Sequence, residues 1–378
     1  MLLLTRFLLE YSRRGAVALT AHEITYGRAD RRLPATLYRP AGAARLPGWV
    51  VLHGLTATGR AHPSLVRFAR SIAAAGNIVM VPEIPEWRDL RVAPAVTHET
   101  IRTAVRELHD RDDTDPDRIG LFGFSFGATQ ALIAAADPHV QGLIAGIAAW
   151  GGYADLHRLF VFGMSGQHEL DGREWKLNHD PYGAWVMAGN YLTGIPGHEN
   201  DGAIASALHE MALEAGRVRA YAWEPVYDPY KVMLRSRLEP GQRELFDLLA
   251  PPSDRPPRDV ERLRGLAHQL ADAALRADPL LDPSPFLDAV GVRIVFAHGR
   301  DDRLVPFSET VRLSRAVPAE FRVSCTITSL FDHSGRRNRE LSPGGVAIEG
   351  VRFIRVLHRI LHLIRGRKTH RTPPRTRG

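Results

Sequence analysis

The stretch IGLFGFSFGA, residues 119–128, decides the fold of this chain. Apolar residues at its start predict a short buried strand, and the following run TQALIAAA, residues 129–136, predicts a helix rich in small residues. Between them Ser125 is flanked by Gly123 and Gly127. A serine on a sharp strand-to-helix turn holds its hydroxyl out at the carboxyl end of the strand, and the glycines let strand and helix approach. Ser125 is therefore a candidate nucleophile.

Strands and helices alternate on both sides of this turn. The predicted strands are 21–26, 33–38, 48–54, 77–82, 119–122, 140–150, 292–299 and 321–329, and the other predicted helices are 63–75, 96–109, 308–316 and 351–364. A tight turn is predicted at 115–118, just before the serine strand. Because consecutive parallel strands need helical crossovers, this order predicts a mostly parallel central sheet flanked by helices. The fold class is α/β.

Residues 153–285 interrupt this alternation and are called the insertion below. They are rich in His, Trp, Tyr and Met, show little strand periodicity, and contain helical patterns at 203–214 and 259–275. We interpret the insertion as a mainly helical cap that covers the site. The α/β core then consists of residues 1–152 and 286–364.

Composition and charge limit the partners that can be expected. The chain has one cysteine, Cys325, so it cannot form an internal disulfide, which fits a reducing, cytoplasmic location. The net charge of the chain is +7. Six basic residues and no acidic residue lie in the tail 365–378. The folded body is therefore nearly neutral, and no nucleic-acid partner is expected. We interpret the tail as disordered, with weak binding to nucleic acid or anionic lipid as the alternative.

The amino-terminal run MLLLTRFLLEY, residues 1–11, is apolar but contains Arg6 and Glu10. No basic region precedes it, so an amphipathic helix packed on the body is favoured over a signal peptide. A transmembrane segment needs about 18 or more consecutive apolar residues, and no such run occurs.

Two polar loops follow later strands in the order that a serine nucleophile requires. A serine hydroxyl needs a base within hydrogen-bond reach, and the base needs an acid that fixes its tautomer. The segment GRDDRLVP, residues 299–306, supplies Asp301 and Asp302, and FDHSG, residues 331–335, supplies His333. Both segments follow predicted strands, so they are expected at the edge of the sheet where ligands bind. His333 is the candidate base, and either aspartate is a candidate acid.

Together these motifs resemble the α/β-hydrolase superfamily, and they look closest to its dienelactone-hydrolase and prolyl-oligopeptidase-like branch. The matching residues are His53-Gly54, the Gly123–Gly127 turn, Asp302 three residues before Val305-Pro306, and His333. The resemblance implies a catalytic triad of Ser125, Asp302 and His333. It also implies an oxyanion hole made by the backbone N–H groups of Leu55 and Phe126.

The other polar residues of these motifs have structural interpretations. We expect His53, with Gly54, to organise the loop after its strand rather than to transfer a proton, and His298 to play a similar part. Asp332 is expected to be a surface carboxylate. No zinc-protease, Walker or dinucleotide-binding motif occurs, so neither a metal nor a cofactor is expected.

The predicted function is hydrolysis of a small-molecule carboxylic ester through an acyl-enzyme. A serine in the turn argues against the related haloalkane dehalogenases and epoxide hydrolases, in which the family pattern places an aspartate. A thioesterase, a peptidase or an acyltransferase on the same triad, and a catalytically silent binding relative, stay open as alternatives. The candidates for an apolar acyl pocket are the large side chains of the insertion: Trp175, Tyr182, Trp185, Met187, Tyr191 and Trp223.

Overall fold

The computed structural model describes residues 2–15, 17–42, 44–218, 220–255, 259–330 and 342–366. The strands are β1 Leu19–Arg28, β2 Arg31–Pro40, β3 Leu46–Leu52, β4 Ile78–Pro82, β5 Thr114–Phe124, β6 Gly146–Trp150, β7 Gln167–Leu170, β8 Arg173–Lys176, β9 Arg293–Gly299 and β10 Arg322–Thr328. The helices are α1 Leu2–Tyr11, α2 Pro63–Ala74, α3 Pro85–Arg88, α4 Pro94–His109, α5 Phe126–Ala136, α6 Pro138–Gln141, α7 Leu156–Ser165, α8 Tyr182–Tyr191, α9 Gly202–Arg217, α10 Asp228–Ser236, α11 Arg243–Leu249, α12 Val260–Ala277, α13 Ser284–Leu287, α14 Phe307–Ala316 and α15 Pro343–Leu363.

Eight of the strands form one sheet in the order β1-β2-β4-β3-β5-β6-β9-β10. The pairs β1–β2 and β2–β4 are antiparallel, and the remaining pairs are parallel. The central strands are buried along almost their whole length, as expected when helices cover both faces of a parallel sheet. The α/β class predicted from the alternation is confirmed.

The two faces of the sheet have separate apolar cores. Side chains alternate along β3, so Val50 and Leu52 join the core that contains α4 and α5. Trp49 and Val51 join the core under α1, α2 and α15. The carboxyl ends of the parallel strands meet at one edge between these two cores. That edge carries the residues discussed below.

Three predicted elements differ from the structure. The predicted strand 140–150 begins as helix α6, because Pro138 starts a helical turn capped by the Asp137 side chain. The turn predicted at 115–118 lies inside β5, where these residues form an irregularity between the pairs Leu46–Thr114 and Gly48–Ile119. Helix α15 begins at 343, well before the predicted start.

The insertion is mainly helical but also contains the hairpin β7–β8, which the sequence pattern above does not predict. Asp171 and Gly172 both have positive φ, at 55° and 76°. Asp-Gly is the pair that favours a tight turn between two antiparallel strands, so this local signal was available. None of the helices in the described part of the chain is long and apolar enough to cross a membrane.

Candidate active site

Ser125 stands at the junction of β5 and α5 with φ 54° and ψ −128°. A non-glycine residue in such a conformation costs about 1–3 kcal/mol and persists only where its surroundings hold it. The Ser125 N–H donates to the Trp150 carbonyl oxygen at 2.7 Å, and the Ser125 carbonyl oxygen accepts from the Ala128 N–H at 2.8 Å. The serine side chain lines a cavity at the carboxyl edge of the sheet.

Three glycines make this arrangement possible. A Cβ at Gly123 would lie 2.1 Å from the Gly127 carbonyl oxygen, and a Cβ at Gly127 would lie 2.6 Å from the His53 carbonyl oxygen. Both distances are too short for real atoms, so a side chain would push α5 away from β5 or from the β3–α2 loop. A Cβ at Gly54 would lie 3.2 Å from Ser125 Cβ. The β3–α2 loop therefore passes directly beside the serine.

Asp302 lies across Gly151 from Ser125. The aspartate follows β9 and is 2% exposed. Its Oδ1 accepts hydrogen bonds from the backbone N–H groups of Leu304 and Val305, both at 2.9 Å. A Cβ at Gly151 would lie 3.8 Å from the Ser125 nitrogen and 4.0 Å from Asp302 Oδ2. The carboxylate is thus held in one orientation close to the serine turn.

His298 lies behind Asp302 and is fully buried. Its Nε2 is 3.2 Å from Asp302 Oδ2 and 2.9 Å from the Val305 carbonyl oxygen. Its Nδ1 is 2.6 Å from Thr310 Oγ1. Because a carbonyl oxygen can only accept, Nε2 carries a hydrogen. His298 therefore ties the Asp302 carboxylate to the end of β9.

His53 orients a peptide group beside Ser125. Its Nδ1 lies 2.7 Å from the Gly54 carbonyl oxygen and must donate to it, since that oxygen can only accept. The peptide is trans, so the Leu55 N–H of the same peptide plane points the opposite way. Burial lowers the pKa of His53 to about 4, and the ring is neutral at neutral pH. His53 thus fixes the direction of the Leu55 N–H, as expected for a loop-organising residue.

The insertion holds the same loop from the other side. The Tyr182 hydroxyl on α8 donates to the Leu55 carbonyl oxygen at 2.9 Å, and burial raises the pKa of this tyrosine. On α9, a Cβ at Gly216 would lie 3.1 Å from Ala57 Cβ. Both peptide groups that flank the Leu55 α-carbon are therefore hydrogen-bonded, one to His53 and one to Tyr182.

The backbone N–H groups of Leu55 and Phe126 are the predicted oxyanion donors. In the described part of the chain no group accepts a hydrogen bond from either of them. Phe126 begins α5, and the amino end of a helix favours negative charge. The two donors are therefore available to a developing oxyanion, and their role stays a prediction.

The cavity beside Ser125 and Asp302 has a volume of about 380 Å³. The β3–α2 loop forms one side of it, and the insertion forms a second side that includes Asp180, Tyr182 and Tyr221. Aromatic side chains from both core strands and helices form a third side. These aromatic residues are Phe68, Phe124, Trp150 and Phe353. In the sequence they have the same apolar pattern as ordinary core residues, so the sequence does not predict that they line the cavity.

Of the six insertion residues named as pocket candidates, only Tyr182 lines the cavity. Trp185 is fully buried, and its Nε1 donates to the Leu249 carbonyl oxygen at 2.8 Å. The Tyr191 hydroxyl donates to Asp278 at 2.6 Å. Met187 is buried, Trp175 stacks on His168, and Trp223 stacks on Tyr221. These five side chains stabilise the insertion or its contacts.

His333 and Asp332 lie outside the described residues, and so does most of the basic tail. The assignment of His333 as base therefore stays a prediction from sequence. Within the described ranges, no group of three or more His, Cys, Asp or Glu side chains is arranged to hold a metal ion.

No family model matches the chain, and a search of curated proteins found no match. Among solved structures, the esterase Est22 aligns with 97% of this chain and 84% of its own, at 15% identity and a TM-score of 0.50. This chain has the α/β-hydrolase fold. The resemblance expected from the sequence motifs is confirmed at the level of the fold.

Two further solved structures align with a similar share of this chain. Est1E from Butyrivibrio proteoclasticus is 12% identical, over 91% of this chain and 99% of its own, with a TM-score of 0.48. A 2,6-dihydroxy-pseudo-oxynicotine hydrolase is 15% identical, over 93% of this chain and 71% of its own, with a TM-score of 0.49.

Proposed function

We propose that this protein is a serine hydrolase that cleaves a carboxylic ester through an acyl-enzyme intermediate. The observation that carries the proposal is the strained backbone of Ser125, with φ 54°, at the edge of the cavity. Gly151 lies between this serine and the buried Asp302. Backbone strain of this kind is characteristic of functional positions. The name of Est22, an esterase, is consistent with this reaction class.

Acylation begins with Ser125 Oγ attacking the ester carbonyl carbon while His333 accepts the hydroxyl proton. The carbonyl oxygen becomes an oxyanion that accepts hydrogen bonds from the Leu55 and Phe126 N–H groups. One such donor typically contributes about 3–4 kcal/mol to stabilising the transition state. His333 then donates its proton to the alcohol oxygen as the C–O bond breaks, and Asp302 stabilises the imidazolium.

Deacylation repeats these steps with water. His333 removes a proton from the water, the hydroxide attacks the acyl carbon, and the Ser125 oxygen leaves with that proton. The products are a carboxylic acid and an alcohol, and the enzyme needs no cofactor. In this proposal residues 1–152 and 286–364 form the hydrolase core, and the insertion caps the cavity.

The direct test is hydrolysis of simple ethyl esters by the wild type and by Ser125→Ala. We expect turnover in the wild type and a loss of roughly six orders of magnitude in the variant, because members of a triad act as a unit. Melting curves of both proteins control for folding. Wild-type activity that survives the substitution would contradict the assignment of Ser125.

A substrate panel separates the proposed esterase from the alternatives. Ethyl esters, the matching thioesters and the matching amides share one acyl group and differ only in the leaving group. Preference for the ester supports the proposal, and preference for the thioester or amide contradicts it. Adding an acceptor alcohol and measuring transferred ester tests for an acyltransferase.

A further inference from the structure

Four aromatic side chains form one wall of the cavity beside Ser125 and are called the aromatic wall: Phe68, Phe124, Trp150 and Phe353. Phe124 ends β5 immediately before the serine, and Trp150 is its partner in the register of β6. Phe68 comes from α2 and Phe353 from α15. The aromatic wall therefore consists of residues at the ends of two central strands and residues from two helices, α2 and α15, that pack on the same face of the sheet.

The rings of the aromatic wall pack against one another. Phe68 meets Phe124 edge-on at a centroid distance of 5.1 Å, and it meets Trp150 at 6.2 Å. Trp150 meets Phe353 at 6.0 Å. Beneath the wall, Phe122 is fully buried and stacks on Phe124 at 4.5 Å. These contacts preorganise the wall, so a ligand does not have to order it on binding.

The two strand-end rings are only partly covered by the protein. Phe124 and Trp150 are half-buried, although they lie on central strands, and both line the cavity. Both rings border the cavity that Ser125 also borders, so a substrate bound beside the serine can contact them. Aromatic rings pair best with other aromatic rings in edge-to-face or offset-stacked contacts at 4.5–7 Å.

We propose that the aromatic wall is the subsite for an aromatic ring of the substrate, so that the ester carries an aryl group close to its scissile carbonyl. The proposal deepens the function given above and rests on it. The ring belongs to either the acid or the alcohol of the ester, and the experiment below distinguishes the two.

The expected preference follows from the pairing of aromatic rings. Such a pair contributes about 0.5–1.5 kcal/mol beyond the burial of the same area, which corresponds to a factor of about 2 to 13 in rate. A saturated ring of the same size buries a comparable area but makes no such aromatic pair. The comparison of aryl with cyclohexyl esters therefore isolates the effect of the wall.

The experiment measures kcat/KM for two matched pairs of esters. The first pair are ethyl esters, so their leaving group is not aromatic. Ethyl phenylacetate and ethyl cyclohexylacetate place the ring on the acid, and benzyl acetate and cyclohexylmethyl acetate place it on the alcohol. Each value is divided by the rate of alkaline hydrolysis of that ester, which removes differences in intrinsic reactivity. We expect the aryl ester to be preferred about 2- to 13-fold in one pair. That pair identifies the side of the ester that carries the ring.

Phe353→Leu tests whether the wall is responsible, since Phe353 lies on α15, outside the proposed triad and oxyanion hole. Phe353 packs against Trp150 at 6.0 Å, so its loss should loosen the Trp150 ring, and we expect the aryl preference to fall in this variant. Phe7→Leu is the matched control, because Phe7 packs against Phe68 at 5.5 Å but does not line the cavity. The preference should persist in that control.

The outcomes separate the two proposals. Hydrolysis without an aryl preference in either pair overturns the aromatic subsite alone, and so does a preference that Phe353→Leu leaves unchanged. The wild-type ratios decide the matter even if Phe353→Leu does not fold. No hydrolysis of any of the esters, together with no labelling of Ser125 by a fluorophosphonate, overturns the serine hydrolase itself and this inference with it.

Discussion

The sheet core and the insertion position their functional groups by different means. In the core, strand ends and glycines place Ser125 and Asp302 through the backbone, and no side chain could be added at Gly123 or Gly127. The insertion contributes through single side-chain contacts, of which the Tyr182 hydroxyl on the Leu55 carbonyl oxygen is the most direct. In the proposed mechanism the core therefore carries the chemistry, and the insertion adjusts it.

The insertion is also tied to the two elements that follow β9. Glu309 on α14 is 1% exposed and accepts hydrogen bonds from the Ala154 and Asp155 N–H groups at 3.0 and 2.9 Å. The Asp180 N–H donates to the Arg303 carbonyl oxygen at 2.7 Å, next to Asp302. None of the proposed triad residues lies in the insertion, so changes in the core should cost more activity than changes in the insertion.

The largest expected effect beyond loss of the nucleophile is that of Asp302→Asn. An amide cannot stabilise the imidazolium and favours the wrong tautomer of the base, so we expect kcat to fall by about four orders of magnitude. The matched control is Asp301→Asn, which changes the neighbouring carboxylate and should alter kcat little. Steady-state kinetics on the preferred ethyl ester measure both. Equal losses in the two variants would remove Asp302 from the triad.

Acid should destabilise the core and the insertion together. Burial lowers the pKa of His53 in the core, and of His168 and His179 in the insertion, from 6.5 to about 4. In the unfolded chain these histidines bind a proton below pH 6.5, whereas in the folded protein they bind it only below about pH 4. Between these values the unfolded state binds more protons, so the free energy of unfolding decreases as the pH falls from 6.5 to 4. The shift of His53 alone corresponds to roughly 3 kcal/mol.

Urea denaturation at several pH values across this range measures that dependence. The variant His53→Asn lacks one of the three titrating groups, so its free energy of unfolding should change less steeply with pH. A free energy of unfolding that stays constant or increases on acidification would contradict the burial of neutral histidines.

A smaller effect is expected for Tyr182→Phe, which tests how the insertion contributes to catalysis. Loss of one neutral hydrogen bond costs about 0.5–1.5 kcal/mol, and here it loosens the peptide groups around the Leu55 N–H. We expect kcat to fall about 2- to 13-fold with little change in KM. The affinity for a trifluoromethyl ketone, which forms an oxyanion in the site, should fall by the same factor.

Tyr191→Phe is the matched control on the same helix. Its hydroxyl donates to Asp278 within the insertion rather than to the loop, so kcat should stay near the wild-type value. If both variants lower kcat equally, the effect reflects stability of the insertion, and Tyr182 does not position Leu55.

The same contrast explains what could be predicted from sequence. The core strands and helices were predicted because their apolar residues follow periods that are set by local geometry. The Ser125 turn was predicted because Gly123 and Gly127 flank the serine between a strand and a helix. The acid loop was predicted because it follows a later strand in the order that a triad requires, and the family resemblance selected Asp302 within it. The aromatic wall was not found, since Phe68 and Phe353 follow the same helical pattern as residues of any core. Which ring faces a cavity depends on packing between distant segments.

Covalent labelling tests whether the strained turn presents Ser125 as an activated nucleophile. The protein is incubated with a fluorophosphonate, and the modified peptide is identified by mass spectrometry in the wild type, Asp302→Asn and Ser125→Ala. We expect a phosphonyl adduct on Ser125 in the wild type, slower labelling in Asp302→Asn, and none at position 125 in Ser125→Ala. An unlabelled Ser125 in folded wild-type protein, or an adduct on another serine instead, would contradict the assignment of Ser125 as nucleophile.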